Sequence, residues 1–169
     1  ILTRDWSSDV CSSDLPVKGA NGIIADGSIR SGKTVAMALS FIMWAMYSFD
    51  GQTFIMAGKT IKSFQRNVLT PLKQILPGRG YTFTYKASDS LLRVSRGSRA
   101  NDFYIFGGKD EASQDLVQGM TAAGAYFDEV ALMPQSFVNQ ATGRCSVDGS
   151  KIWFNCNPES PMHWFKTEW

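Results

Sequence analysis

Short apolar runs alternate with longer amphipathic segments along the first half of the chain. Gly22–Asp26 and Thr53–Gly58 are apolar runs bounded by turn residues, which predicts two buried strands. Val35–Phe49 repeats apolar residues at three- and four-residue spacings and predicts a helix. Ile61–Leu76 predicts a second helix, interrupted or ended at Pro71. Strands that alternate with helices form parallel sheets through right-handed crossovers, so the pattern predicts an α/β domain.

The middle of the chain has a different pattern. Three short strand-like runs, separated by turn residues, follow one another at Tyr81–Tyr85, Leu91–Ser95 and Phe103–Phe106. Their short connections predict an antiparallel excursion at an edge of the mainly parallel sheet. The last third returns to alternation and predicts two short helices, 111–116 and 134–142, and two further strands, 123–130 and 151–158.

Composition narrows the class of protein without identifying it. The 169 residues are 44% hydrophobic and 19% charged, which is ordinary for one globular domain. The longest apolar stretch, Val35–Tyr47, is too short to cross a bilayer, so no membrane segment is predicted. The net charge of +2 does not by itself indicate a nucleic-acid-binding protein. Cys11, Cys145, Cys156 and the single His163 have no metal-ligand spacing, and the free thiols fit a reducing cytoplasm.

The N-terminal segment does not share these patterns. Asp5–Leu15 is polar, has neither helix nor strand periodicity, and resembles the translation of a common sequencing adapter along its whole length. We therefore exclude residues 1–15 from the fold prediction and expect them to be disordered. The alternative is an acidic N-terminal arm. The folded domain is predicted to occupy residues 16–169.

The strongest chemical signal lies between the first predicted strand and the first predicted helix. There the chain fits the phosphate-loop pattern G-x-x-x-x-G-K-S/T at Gly27, Ser28, Ile29, Arg30, Ser31, Gly32, Lys33 and Thr34. The backbone N–H groups of such a loop and the following helix N-terminus bind phosphate. Lys33 is predicted to reach the β- and γ-phosphates of ATP, and the Thr34 hydroxyl to ligate Mg²⁺. The alternative is a glycine-rich turn before a helix, with Lys33 solvated.

A second signal follows the predicted strand at 123–130. This apolar run ends in two adjacent carboxylates, Asp128 and Glu129. Asp128 is predicted to hold Mg²⁺ directly or through water, and Glu129 to orient and deprotonate an attacking water. The second carboxylate favours hydrolysis of ATP over phosphorylation of a small molecule. Taken alone, an Asp-Glu pair of this kind can also simply mark the end of a strand.

Two further groups of residues leave alternatives open. Basic residues surround the turns of the antiparallel excursion and could contact a phosphodiester backbone, or could simply be solvated: Lys86, Arg93, Arg96, Arg99 and Lys109. At the end of the last predicted strand, Asn155 or Asn157 could stand beside the γ-phosphate and respond to its loss. An ordinary strand-ending Asn-Pro turn explains these asparagines equally well.

The ordered set of motifs resembles the large terminase subunit of tailed bacteriophages. The similarity looks greatest to the branch that includes defective-prophage (PBSX-type) terminases. It extends from about Gly19 to Trp169 and rests on the loop with its internal Arg30, on Tyr126–Val130, and on Asn155–Pro158 followed by the residues at 161–165. Each motif occurs in many ATPases, whereas the set in this order is more specific.

This resemblance implies an N-terminal P-loop ATPase domain of the RecA-like type, with an additional strand and a catalytic glutamate. In the family, such a domain hydrolyses ATP to push double-stranded DNA into a procapsid in the host cytoplasm. It works with a portal protein and a small terminase subunit and assembles as a homo-oligomeric ring. By resemblance, Arg30 contacts the γ-phosphate or Glu129, and Asn155, Asn157 and Pro158 couple hydrolysis to DNA movement. An arginine such as Arg144 could complete a neighbour's site.

The chain also departs from that family. A C-terminal nuclease domain is not recognisable, so no DNA cleavage is expected, and the segment that would contact adenine coincides with the adapter-like stretch. Two alternatives to a packaging ATPase therefore stay open. One is another P-loop nucleic-acid translocase or a helicase, and the other is a truncated nucleotide-binding module without activity.

Overall fold

One twisted sheet carries the whole fold. In the computed structural model, the described residues are 2–5, 21–27, 32–109, 111–157 and 163–169. They contain an eight-stranded sheet in the order β1-β2-β8-β7-β3-β6-β5-β4. The strands are β1 Leu2–Asp5, β2 Gly22–Asp26, β3 Thr53–Gly58, β4 Thr82–Lys86, β5 Leu91–Arg96, β6 Arg99–Gly107, β7 Gly124–Asp128 and β8 Lys151–Cys156.

The helices lie between these strands in the chain, except the last one, which follows β8. They are α1 Lys33–Ser48, α2 Ile61–Phe64, α3 Thr70–Ile75, α4 Gln135–Gly143 and α5 Trp164–Glu168. A π-helical turn, Gln65–Leu69, joins α2 to α3, and Pro71 then occupies the first turn of α3. The change from π-helical to α-helical hydrogen bonding thus lies next to the proline, which has no N–H group to donate. No helix among the described residues is both long enough and apolar enough to cross a membrane.

Strands β1, β2, β8, β7, β3 and β6 run parallel to one another, whereas β5 pairs antiparallel with both β6 and β4. This confirms the predicted α/β class and its antiparallel edge. Strand β8 lies between β2 and β7. It is the additional strand that the expected P-loop fold requires between the phosphate loop and the Asp-Glu pair.

Alternate residues of the central strands enter two different hydrophobic clusters. Phe54, Met56 and Tyr126 belong to the cluster that packs on α1, together with Phe41 and Trp44. Ile55, Ala57, Ala125 and Phe127 belong to the other cluster, which contains residues of α4 and α5 such as Phe137 and Phe165. Successive strand residues point to opposite faces, and both faces here are covered. The predicted helices on both faces are therefore present.

The expectation of disorder throughout residues 1–15 is wrong for Leu2–Asp5. These residues form β1 and pair in parallel with β2. An edge strand exposes a row of backbone N–H and C=O groups, which can pair with an extended segment whatever its side chains. The expectation rested on the polar side-chain pattern and the adapter-like sequence, and neither predicts pairing through the backbone. The rest of the adapter-like stretch lies outside the described residues.

Candidate active site

Three parallel strands bring the polar residues predicted from the sequence to one edge of the sheet. In the register of β2, β8 and β7, Asn155 is paired with Ala25 on one side and with Asp128 on the other. Because the strands are parallel, their carboxyl ends meet at this edge, where ligands bind in open α/β sheets. Helix α1 begins beside them, at the end of the phosphate loop.

The two described ends of the phosphate loop are linked by Lys33. Its Nζ atom donates a hydrogen bond to the carbonyl of Gly27 at 2.8 Å and lies 3.4 Å from Oδ1 of Asn157. Gly32, just before α1, has φ 76°, a left-handed conformation that glycine adopts at little cost. Ser28, Ile29, Arg30 and Ser31 lie outside the described residues, as does Pro158.

Thr34 and Asp128 are in direct contact across the sheet edge. The Thr34 hydroxyl donates to Oδ1 of Asp128 at 3.0 Å. The Asn155 amide lies between them, and its Nδ2 donates to Oδ1 of Asp128 at 2.6 Å and to Oγ1 of Thr34 at 3.0 Å. The Oδ1 atom of Asn155 is buried and has no hydrogen-bond partner among the described residues.

Tyr126 completes this group from within β7. Its side chain is fully buried, and its hydroxyl lies 3.1 Å from the carbonyl oxygen of Thr34 and 3.3 Å from Oδ1 of Asp128. Burial raises the pKa of the Tyr126 phenol well above its ordinary value, and the neighbouring Asp128 carboxylate adds to the rise. The phenol therefore keeps its proton and acts as a donor.

The two adjacent carboxyl groups both have raised pKa values. Burial is the main cause at Asp128, where hydrogen bonds from Asn155, Thr34 and Tyr126 act in the opposite direction. At Glu129, burial and the nearby Asp128 charge raise the pKa, and the Lys59 ammonium opposes them. Glu129 also has φ 56° and lies immediately before the 3₁₀ turn Val130–Leu132. A non-glycine residue in this conformation is uncommon, and such residues cluster at functional sites.

The donor set is compatible with Mg²⁺. A hydroxyl and a carboxylate, from Thr34 and Asp128, meet within 3.0 Å, and the orphaned Oδ1 of Asn155 can accept from a metal-bound water. The described residues contain no group of three or more His, Cys, Asp or Glu side chains arranged to hold a metal ion. Mg²⁺ commonly needs only one or two protein oxygens, because nucleotide phosphates and water supply its other ligands.

The basic residues of the antiparallel edge are engaged within the chain. Lys86 pairs with Asp89 at 2.6 Å, and Arg93 with Asp102 at 3.5 Å. Two further arginines contact an aromatic ring and a backbone carbonyl. The Arg96 guanidinium lies 5.1 Å from the Tyr81 ring centre, and Arg99 donates to the carbonyl of Tyr47 at 2.6 Å. Lys86 and Arg93 remain 66% and 61% exposed in these ion pairs, so their side chains still face the solvent.

Two residues at the site were not singled out as candidates in the sequence. Tyr126 lies two residues before Asp128 on the same strand, so the alternation of strand faces places both side chains on one side. Lys59 follows β3 directly, at the same sheet edge as Glu129. In the sequence, Lys59 could be noticed because it stands at the end of a predicted strand. Only the fold shows that this strand end lies near Glu129.

Comparison with known proteins agrees with this architecture. Residues 24–169 match the family described as terminase large subunit, T4likevirus-type, N-terminal. The large terminase of a thermophilic bacteriophage, called the thermophilic-phage terminase below, is 60% identical, with TM-score 0.87 over 91% of this chain and 38% of that chain. The same protein in complex with ADP is 54% identical, with TM-score 0.84 over 97% of this chain and 39% of that chain.

A more distant likeness extends to the ATPase domain of the Thermus phage P74-26 large terminase. It is 15% identical, with TM-score 0.64 over 90% of this chain and 65% of that chain, and it shows the shared fold alone. No curated protein sequence matches the chain. The chain spans 38% of the length of the thermophilic-phage terminase. Since the family match extends over residues 24–169, the chain belongs to the family of N-terminal domains of phage terminase large subunits.

Proposed function

We propose that this chain hydrolyses ATP and that the released energy moves double-stranded DNA into a viral procapsid. The observation that carries the proposal is the contact of Thr34 with Asp128 at 3.0 Å, beside the loop lysine and next to Glu129. Complexes of the similar thermophilic-phage terminase with ADP and ATP-gamma-S support the binding of a nucleotide.

In this proposal, the phosphate loop binds the triphosphate. Gly27–Thr34 wraps its N–H groups around the phosphates, and the N-terminus of α1 favours their negative charge. Lys33, which is 4% exposed, carries its ammonium to the β- and γ-phosphates. Arg30 contacts the γ-phosphate or Glu129.

The residues proposed to hold Mg²⁺ are Thr34 and Asp128. When bound, the ion neutralises the charge that develops on the phosphate oxygens. Glu129 acts as the general base and orients the attacking water. Its raised pKa strengthens it as a proton acceptor, because basicity rises with the pKa of the conjugate acid.

Coupling of hydrolysis to DNA movement is proposed for Asn155, Asn157 and Pro158. The hydrogen bonds of Asn155 to Thr34 and Asp128, and the 3.4 Å approach of Asn157 to Lys33, support this role. A change in phosphate occupancy would alter the partners of both amides at the end of β8.

The proposed setting is a homo-oligomeric ring on the procapsid in the cytoplasm of the bacterial host. Double-stranded DNA, a portal protein and a small terminase subunit are the proposed partners, and Arg144 is a candidate to complete a neighbour's site. Placement in the branch of defective-prophage terminases rests on the order of the motifs. These assignments come from the family resemblance and need the assembled motor for their test.

Steady-state ATPase assays on the wild type, Glu129→Gln and Lys33→Ala test the catalytic assignment. We expect Glu129→Gln to lower kcat about 10²- to 10⁴-fold while ADP binding stays within about twofold, because the general base acts on water and not on the nucleotide. Lys33→Ala should weaken nucleotide binding as well.

The matched control is Glu168→Gln at the exposed end of α5, which should hydrolyse ATP like the wild type. Equal low rates in the wild type and Glu129→Gln would favour an inactive nucleotide-binding module. Strand displacement on forked duplex DNA would instead favour a helicase.

A further inference from the structure

The hydroxyl of Tyr126 joins the two residues proposed to hold Mg²⁺. It lies 3.1 Å from the carbonyl oxygen of Thr34, in the first turn of α1, and 3.3 Å from the carboxylate of Asp128, at the end of β7. A single hydroxyl proton is thus shared between two acceptors on different elements. A buried phenol hydroxyl needs only one of these two acceptors for its hydrogen bond.

The hydrogen bonds that described residues donate to the Asp128 carboxylate fall on one oxygen. Thr34, Asn155 and Tyr126 each place a donor within 3.3 Å of Oδ1. Three donors on the same oxygen hold the carboxylate in one orientation. Since Thr34 and Asn155 also bond to each other, the group forms a closed network around this atom.

The ring of Tyr126 is held by packing that does not depend on the hydroxyl. It stacks on Phe41 with 6.0 Å between ring centres, and Phe64 lies 6.4 Å away on the helical side. Both phenylalanines belong to the same buried cluster as Tyr126. The hydroxyl therefore projects from a fixed ring, and its position is set by the core rather than by the site.

We propose that Tyr126 is a positioning residue that holds Asp128 and Thr34 in the geometry needed to bind Mg²⁺ with the nucleotide. This inference rests on the metal assignment of the proposed function. Fixing ligands before the metal arrives removes the cost of ordering them during binding. Tyr126 itself touches neither metal nor nucleotide in this proposal.

Tyr126→Phe tests the proposal, because it keeps the packed ring and removes only the hydroxyl. We expect the dissociation constant of ADP in EDTA to stay within about twofold of the wild type. The tightening of ADP binding by Mg²⁺ should fall about tenfold, the effect of losing one hydrogen bond to a charged group. Calorimetric titration of ADP, with Mg²⁺ and with EDTA, measures both values.

The matched control is Tyr85→Phe, which removes a hydroxyl that accepts from Gln65 at 2.6 Å, away from the site. It should retain the full effect of Mg²⁺. A Tyr126→Phe protein with the wild-type response to Mg²⁺, or with equally weakened binding in EDTA, would overturn the positioning role. If Mg²⁺ does not change the affinity of the wild-type protein for ADP, the metal assignment is overturned, and this inference with it.

A second measurement leaves position 126 unchanged and so does not depend on the folding of that variant. The five tyrosines are labelled as 3-fluorotyrosine, and four resonances are assigned by phenylalanine substitution at Tyr47, Tyr81, Tyr85 and Tyr104. We expect the remaining fluorine resonance to shift when Mg²⁺ is added to the ADP complex. An unchanged Tyr126 resonance would count against the proposal.

Discussion

At the scale of single residues, the site keeps a carboxyl group in a largely buried position. Asp128 is 4% exposed, and burial raises its pKa despite three hydrogen-bond donors on Oδ1. A raised carboxyl pKa means that the folded protein binds a proton more tightly than the unfolded chain does. Without bound metal, the ionised Asp128 side chain therefore lowers the stability of the fold.

Asp128→Asn should stabilise the metal-free protein at neutral pH, because the amide carries no charge to desolvate. For a group with a raised folded-state pKa, stability is fully present below the unfolded-state pKa and is lost as pH rises through the folded-state value. The advantage of the variant should therefore shrink as pH falls towards about 3.9, the value for an unfolded aspartate.

Urea unfolding in EDTA across this pH range measures the difference in free energy of unfolding. The exposed Asp148→Asn provides a matched control and should show no comparable advantage at neutral pH. A variant less stable than the wild type at neutral pH would show that its lost hydrogen bonds outweigh the desolvation of the charge. With Mg²⁺ and ADP present, the order should reverse in favour of the wild type.

At the scale of elements, one buried asparagine fixes the end of α1 to the sheet. Asn101 on β6 is 1% exposed, and its Nδ2 donates to the carbonyls of Ala45 at 3.3 Å and Phe49 at 3.0 Å. Its Oδ1 accepts from the N–H of Gln52 at 2.8 Å. The Ala45 carbonyl already accepts from the N–H of Phe49, whereas the Phe49 carbonyl, just past the end of α1, has no helical partner and is satisfied by Asn101.

Asn101→Leu should destabilise the protein by about 2–3 kcal/mol, because it keeps the side-chain size while leaving buried backbone groups unpaired. Chemical denaturation measures the change. Asp50→Ala is the control, since Asp50 accepts one exposed bond from the N–H of Ala100 at 3.0 Å, and its loss should cost less than about 1 kcal/mol. Equal effects in the two variants would contradict the structural role of Asn101.

At the scale of the whole molecule, the described residues offer one chemical centre. They contain the phosphate-loop site, and among them no group of three or more His, Cys, Asp or Glu side chains could hold a metal ion. The chain also spans only 38% of the thermophilic-phage terminase.

Local patterns predicted most of the elements, because side-chain periodicity is a property of neighbouring residues. Strands β2 and β3 begin and end where their apolar runs do. Helix α1 begins at Lys33, two residues before the apolar repeat, because the polar Lys33 and Thr34 belong to its first turn. Pro71 was identified as an interruption, but the π-helical turn before it was not predicted.

The sequence by itself predicted most of the strands and helices, except β1 and the π-helical turn, and it supplied the candidate residues for phosphate-loop chemistry. Only the tertiary structure decided that β8 lies between β2 and β7, which places Asn155 against Thr34 and Asp128. The tertiary structure also decided which ion pairs Lys86 and Arg93 form, and it placed the Tyr126 hydroxyl at the site. Strand order depends on many contacts between distant segments, whose sum selects one arrangement and which no local periodicity encodes.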